Sequence, residues 1–200
     1  MKCLIDADAL KRLVNNTKKF LNKDGYGNHK MMQYIYLEID AEAMLVKATA
    51  VNGHSISVEY ATCLECDQSF TCYIKPNIPK ITKRDRLAEL ELKDNKLYVT
   101  VGEYIVGFVQ PEGSFYKVDD LVNKTLEKEP RASIYLDKNL LLAAVQSLDY
   151  LGYKKAVRIE IRDRNEPVVI RTDINNTRFI LPVNISDEKR WEGSSANNNK

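Results

Sequence analysis

Apolar and polar positions change period along this chain, and the changes mark its elements. Residues 2–5, Lys-Cys-Leu-Ile, read as a short strand. After Asp6, the positions Leu10, Leu13, Val14, Thr17, Phe20 and Leu21 recur at the spacing of one helix face. Asp6 or Asp8 can cap the first turn and complement its dipole. Residues 24–30, with two glycines, read as a loop. Residues 33–39 alternate as a strand, and 43–48 read as another. Asn52-Gly53 is a tight-turn signal between strands, and 69–74 form the next strand. A polar, basic linker at 77–86 follows. Residues 87–92 and 96–101 alternate around Lys93-Asp94-Asn95 as a hairpin, and 104–109 give a third strand. A turn over 111–115 closes the block. A short helix is predicted over 118–126, stopped by Pro130.

The pattern then restarts. Residues 133–136 read as a strand, Asp137 as a cap, and Leu140, Leu141, Ala144, Val145 and Leu148 as a helical stripe ended by Gly152. Strands are predicted at 157–161, 167–170 and 178–185. Residues 186–200, polar and holding the lone Trp191, read as a disordered tail. "CLIDADALKRLV" is echoed by "IYLDKNLLLAAV", and "FTCYIKP" by "RFILPV". The echo predicts a repeated βαβββ unit. Helices on one face of mainly antiparallel sheets make the expected class α+β. The expected division is a domain over 1–117, a half-domain over 118–185, and the tail.

Composition narrows the function classes. The chain has 200 residues, 44% hydrophobic and 29% charged, as in a soluble globular protein with a real core. A net charge of +2 means that any nucleic-acid surface must concentrate its cations on one face. No apolar run approaches the roughly 20 residues of a membrane span, and Asp6 and Asp8 interrupt any signal-peptide pattern. The expected location is the cytoplasm, without a membrane.

No catalytic constellation stands out. The two histidines, His29 and His54, sit in no nucleophile or metal motif, and Gly25-Tyr26-Gly27 lacks the spacing of a phosphate loop. Cys63 and Cys66 form a CxxC. Zinc would need Cys72 and His54 to complete a set without a second close pair. A redox motif would need a helix start, whereas this context is strand-like. Ordinary reduced cysteines are the default. Arg158, Glu160 and Arg162 most simply form a solvated sheet face. The chain reads as a non-enzyme with no cofactor.

Three stretches resemble the bacterial DNA polymerase III β subunit, the sliding clamp. "ATAVNGHSI" is similar to that family's "ATDGHRLA" turn, with Val51, Asn52 and Ser55 where the family has threonine, aspartate and arginine. "LELKDNKLYVTVGEYIVGFVQPEGSF" resembles the second half of the clamp's middle domain, without the proline of its "DGEFP" turn. "YLDKNLLLAAVQSL", "EPVVI" and "FILPVNI" resemble the end of its last domain. The resemblance covers most of residues 1–185 in the family's order. Family chains have three such domains and close into six-domain rings with helices facing DNA. This chain matches neither the first domain nor the first half of the last.

The resemblance implies a peptide-docking groove with Val51, His54, Ser55 and Ile56 on one wall and Phe179, Leu181, Pro182 and Val183 on the other. For each apolar member, plain core packing is the competing reading, and for His54 a turn residue held by a backbone partner. Serine at 55 removes a polar contact the family's arginine would make. The resemblance also implies that Lys11, Arg12, Lys18 and Lys19 meet double-stranded DNA through its backbone, which carries no base information. A solvated helix face is the competing reading. Lys80, Lys83, Arg84 and Arg86 form a second cluster, equally readable as a charged loop. Implied partners are DNA polymerase and other proteins with clamp-binding motifs, and a further copy of the chain in a homo-oligomer. Two function classes follow: a processivity clamp in replication or repair, and a clamp-fold interaction or regulatory module that does not encircle DNA.

Overall fold

The computed structural model describes residues 1–22, 27–130, 132–148, 156–172 and 177–183, with only the backbone described at 27–29. The chain divides into two compact units, Met1–Asn123 and Lys124–Lys200. The sequence placed a boundary after residue 117. The expected helix stop at Gly152, the residues beyond 183, the tail and Trp191 lie outside the described residues.

The first unit is built on β1 (Lys2–Asp6), α1 (Ala7–Thr17), β2 (Ile35–Asp40), β3 (Leu45–Val51), β4 (Ile56–Cys66), β5 (Phe70–Ile74), β6 (Leu87–Lys93), β7 (Lys96–Val101) and β8 (Tyr104–Val109). These strands form one eight-stranded sheet in the order β5-β2-β3-β4-β1-β6-β7-β8. Every pairing is antiparallel among the described residues. Period-two alternation sends Ile35, Leu37 and Ile39 of β2, and Leu97, Val99 and Val101 of β7, to the buried side. α1 lays Leu10, Leu13 and Val14 into the same core. Asp6 caps it by accepting from the Ala9 N–H at 2.9 Å. Thr17 is buried because its hydroxyl donates to the Leu13 carbonyl at 2.6 Å, which keeps the polar atom satisfied. Asp94 and Asn95 both have positive φ, 49° and 57°, the conformation a two-residue hairpin between β6 and β7 requires.

The second unit holds α3 (Lys138–Gln146) and a three-stranded sheet of β9 (Arg158–Glu160), β10 (Val168–Arg171) and β11 (Thr177–Ile180), in the order β11-β10-β9. Among the described residues its core is Ala144, Leu148, Val168, Ile170 and Ile180. Asp137 caps α3 by accepting from the N–H groups of Asn139 and Leu140. The helix α2 (Asp119–Leu126) contains the point of division. Among the described residues no helix is long and apolar enough to cross a membrane.

Four local readings are revised. Residues 27–33 form 3₁₀ turns rather than a loop through residue 30, because Met31 and Met32 are buried and draw the segment inward. The linker at 77–86 is irregular, yet Ile78 and Ile81 pack against the core. Residues 133–136 form no strand; one backbone bond, from the Val183 N–H to the Tyr135 carbonyl at 2.9 Å, ties them down. The last strand ends at Ile180, just before the stretch holding Pro182, which has no N–H to give a ladder.

Candidate partner-docking and nucleic-acid surfaces

β10 and β11 pair in register Val168↔Ile180, Val169↔Phe179 and Ile170↔Arg178. Val168, Ile170 and Ile180 therefore face α3, and Phe179 falls on the opposite face. Arg178 shares the inner side and staples the end of α3. Its Nε donates to the Ser147 hydroxyl at 2.9 Å and its Nη2 to the Ser147 carbonyl at 2.8 Å. A cation on the last carbonyls of a helix is favoured by the helix dipole. With β11 fixed this way, alternation carries Phe179, Leu181 and Val183 to solvent, 69%, 69% and 42% exposed. Pro182 is half-buried. The result is a row of apolar side chains on an extended segment.

Beside that row lies a concavity of about 490 Å³, whose lining includes apolar Pro167, Val169 and Phe179 and charged Glu160, Arg162 and Arg171. Glu160, with only 15% of its side chain exposed, accepts hydrogen bonds from Arg162 Nη2 at 2.7 Å and from Arg171 Nη2, and forms an ion pair with Arg158 Nε at 3.0 Å. Partial burial works against its charged form, and the arginine hydrogen bonds outweigh that, holding the carboxyl below its usual range. Spacing along the sequence implies a solvated face here. The third arginine comes from the neighbouring strand, which spacing within β9 does not reveal.

In the first unit, the turn after β3 is locked by Asn52. Its Oδ1 accepts from the His54 N–H at 3.0 Å, the Ser55 N–H at 2.9 Å and the Ser55 hydroxyl at 3.0 Å. Gly53 takes φ 86°, which the tight reversal requires. Val51 and Ile56 pair across the turn and pack with Met32, Val118, Phe115 and Tyr116. Of the four turn residues expected at a docking wall, Val51 is thus buried, Ile56 and Ser55 are half-buried, and His54 is exposed. An aromatic cluster that pattern reading missed lies in the same unit. Tyr36 stacks on Phe115 at 4.7 Å between ring centroids, Tyr73 leans on Tyr36 at 5.2 Å, and Lys75 sits over Tyr34. Its members come from separate segments, so no local signal marks it.

The expected DNA-facing cations sit on the outer side of α1 and just beyond it, all exposed. Arg12 is committed internally: its guanidinium donates to Glu59 at 2.9 Å and to the Tyr60 carbonyl at 2.7 Å. Lys11 Nζ donates to the Ile81 carbonyl at 3.2 Å, and Lys18 Nζ to Asn15 Oδ1 at 2.5 Å. The Ala7 N–H donates to the Arg86 carbonyl at 3.0 Å. The segment carrying Lys80, Lys83, Arg84 and Arg86 is therefore tied to α1 at two points. The two basic clusters, separate in sequence, are neighbours in the fold. No group of histidine, cysteine and carboxylate side chains among the described residues could hold a metal ion.

No family model and no curated protein matches the sequence. Solved structures do match by shape. A protein assigned as a DNA polymerase III beta subunit from Eubacterium rectale aligns with a TM-score of 0.74 at 15% identity, over 91% of this chain and 50% of that one. The DNA polymerase sliding clamp from Bacillus subtilis aligns at 0.71 and 13% identity, over 91% and 49%. The Helicobacter pylori beta clamp bound to a DNA ligase peptide aligns at 0.56 and 13%, over 87% and 49%. The chain thus spans about half the length of the structures it matches. Over that span it has the fold of the DNA polymerase III beta subunit, the bacterial sliding clamp.

Proposed function

We propose that this chain is a non-catalytic, sliding-clamp-like protein of the cytoplasm that docks short peptides of polymerase and repair proteins and meets duplex DNA through its phosphates. The observation that carries the reading is the exposed apolar row Phe179, Leu181 and Val183, set beside a concavity and held by a stapled strand. Three large apolar side chains in solvent cost free energy unless something covers them, and a linear peptide with two or three apolar anchors suits such a row. Peptide docking by a protein of the same fold, the Helicobacter pylori clamp with its ligase peptide, supports it. On the first unit, the turn residues His54, Ser55 and Ile56, with Val51 packed in the core beneath them, are proposed as partner contacts of their own, and homo-oligomer formation belongs to the same reading.

The experiment is a fluorescence-polarisation titration with a labelled peptide carrying leucine and phenylalanine anchors. Leu181→Ala and Phe179→Ala are each expected to weaken binding about tenfold, roughly 1.4 kcal/mol. Leu142→Ala, an exposed leucine on α3, is the control and leaves affinity unchanged. If the Phe179/Leu181 double variant binds like the parent chain, docking at this row is wrong.

DNA binding is tested by salt. Observed affinity for a closed circular duplex is expected to fall with salt, and Lys83→Glu or Lys19→Glu to reduce the log–log slope by about 0.9 for each phosphate that is no longer neutralised. The second reading, a clamp-fold regulator that does not encircle DNA, is favoured by one observation: Arg12, Lys11 and Lys18 already serve partners inside the unit. Absence of binding at low salt, with peptide docking intact, selects it.

A further inference from the structure

β1 and β4 run antiparallel with Cys3 opposite Cys66, Leu4 opposite Glu65, and Ile5 opposite Cys63. Leu64 is therefore the extra residue of a bulge. Without it, Cys63 and Cys66, three apart on a strand, would point to opposite faces. With it, both thiols turn to the side of Cys3. The register also fixes spacing. The Asp67 N–H donates to the Lys2 carbonyl at 3.1 Å, a ladder bond that flanks the Cys3–Cys66 pair and does not join it. Cys3 and Cys66 are then the adjacent non-hydrogen-bonded pair, whose side chains stand closest, with Cα atoms about 4.5 Å apart. That lies within the roughly 4.4–6.8 Å that a disulfide accepts. A concavity of about 310 Å³, lined in part by Lys2, Cys3, Glu65 and Cys66, opens this seam to small molecules. Cys66 is half-buried and Cys3 fully buried, so the reagent meets Cys66 first.

We propose that Cys3 and Cys66 form a reversible thiol–disulfide pair, a modification site at the β1–β4 seam that is closed by low-molecular-weight disulfides such as glutathione disulfide. The Cys66 sulfur, having released its proton, attacks one sulfur of the reagent and breaks its S–S bond. One glutathione leaves and takes up that proton, and a mixed disulfide remains on Cys66. The Cys3 sulfur, deprotonated in turn, attacks the Cys66 sulfur and expels the second glutathione, which takes up the second proton. The protein loses two electrons and two protons, and glutathione disulfide gains both. Burial raises both thiols, so the thiolates are scarce and closure is slow. Cys72, buried on β5 opposite Leu37, is the internal control.

The full chain, kept native, is incubated with glutathione disulfide, quenched by alkylation in acid, digested without reductant and read by mass spectrometry. The expected product is a Cys3–Cys66 cross-linked peptide, two hydrogens lighter than the reduced pair and reopened by dithiothreitol, with Cys72 still a free thiol. In Cys3→Ser, glutathione should stay trapped on Cys66. The unsubstituted chain alone decides the matter if a variant fails to fold. A stable glutathione adduct on Cys66 beside a free Cys3, a Cys3–Cys63 link, or no oxidation at either residue overturns the proposal.

Discussion

Replacing Leu10 by alanine is expected to lower the stability of the first unit by about 3 kcal/mol, within the range of about 2–5 found for buried leucines. Leu10 is fully buried on α1 and belongs to the same cluster as Leu13, Val14, Ile5 and Leu90. α1 is the one α-helix whose apolar face enters the core of the eight-stranded sheet among the described residues. The cavity left by the truncated side chain lies between a capped helix and hydrogen-bonded strands, which relax little. Hydrogen exchange of the β3 and β4 amides, followed with urea, reads the change. A loss below about 1 kcal/mol would mean that the sheet does not depend on this helix for burial.

Ile170→Asn is expected to unfold the second unit selectively. Ile170 is fully buried and packs, among the described residues, with buried Ala144, Leu148, Val168 and Ile180. The substitution removes apolar volume and places an amide where hydrogen-bonding partners are scarce, a combined cost of about 4 kcal/mol or more. Exchange mapped by mass spectrometry should show α3 and β9 to β11 losing protection while β1 to β8 keep theirs. Unchanged protection across β10 and β11 would contradict the placement of Ile170.

The two halves of the fold differ in how openly the sequence declares them. α1 is legible because its core-facing residues lie along one helix face, so spacing alone gives its burial. The β6–β7 hairpin is legible because Asp-Asn suits the positive-φ turn it adopts. The bulge at Leu64 leaves no mark in the sequence, since it exists only in the register with β1. Glu160 reads as solvated because alternation along β9 says nothing of Arg171 arriving from β10. Residues 133–136 read as a strand by analogy with residues 2–5, but a strand needs a ladder partner, and among the described residues the bond from Val183 to Tyr135 is the tie they make to another strand-like segment.

The candidate site shows the same division. Alternation from Phe179 to Val183 sets out an apolar row, and those side chains stand in solvent. The turn does not separate its members by type. Val51 is apolar and lies in the core, while His54, three residues on, is outside. Only the β3–β4 register, with Val51 packed among Met32 and Val118, distinguishes them.

β1 lies between β4 and β6, bonded to both. It is synthesised before either. During translation this strand must wait, first for residues 56–66 and then for 87–93, with one flank unpaired in the interval. Maturation of the sheet is thus paced by its slowest long-range closure, and agents that hold nascent chains extended would act at that seam first.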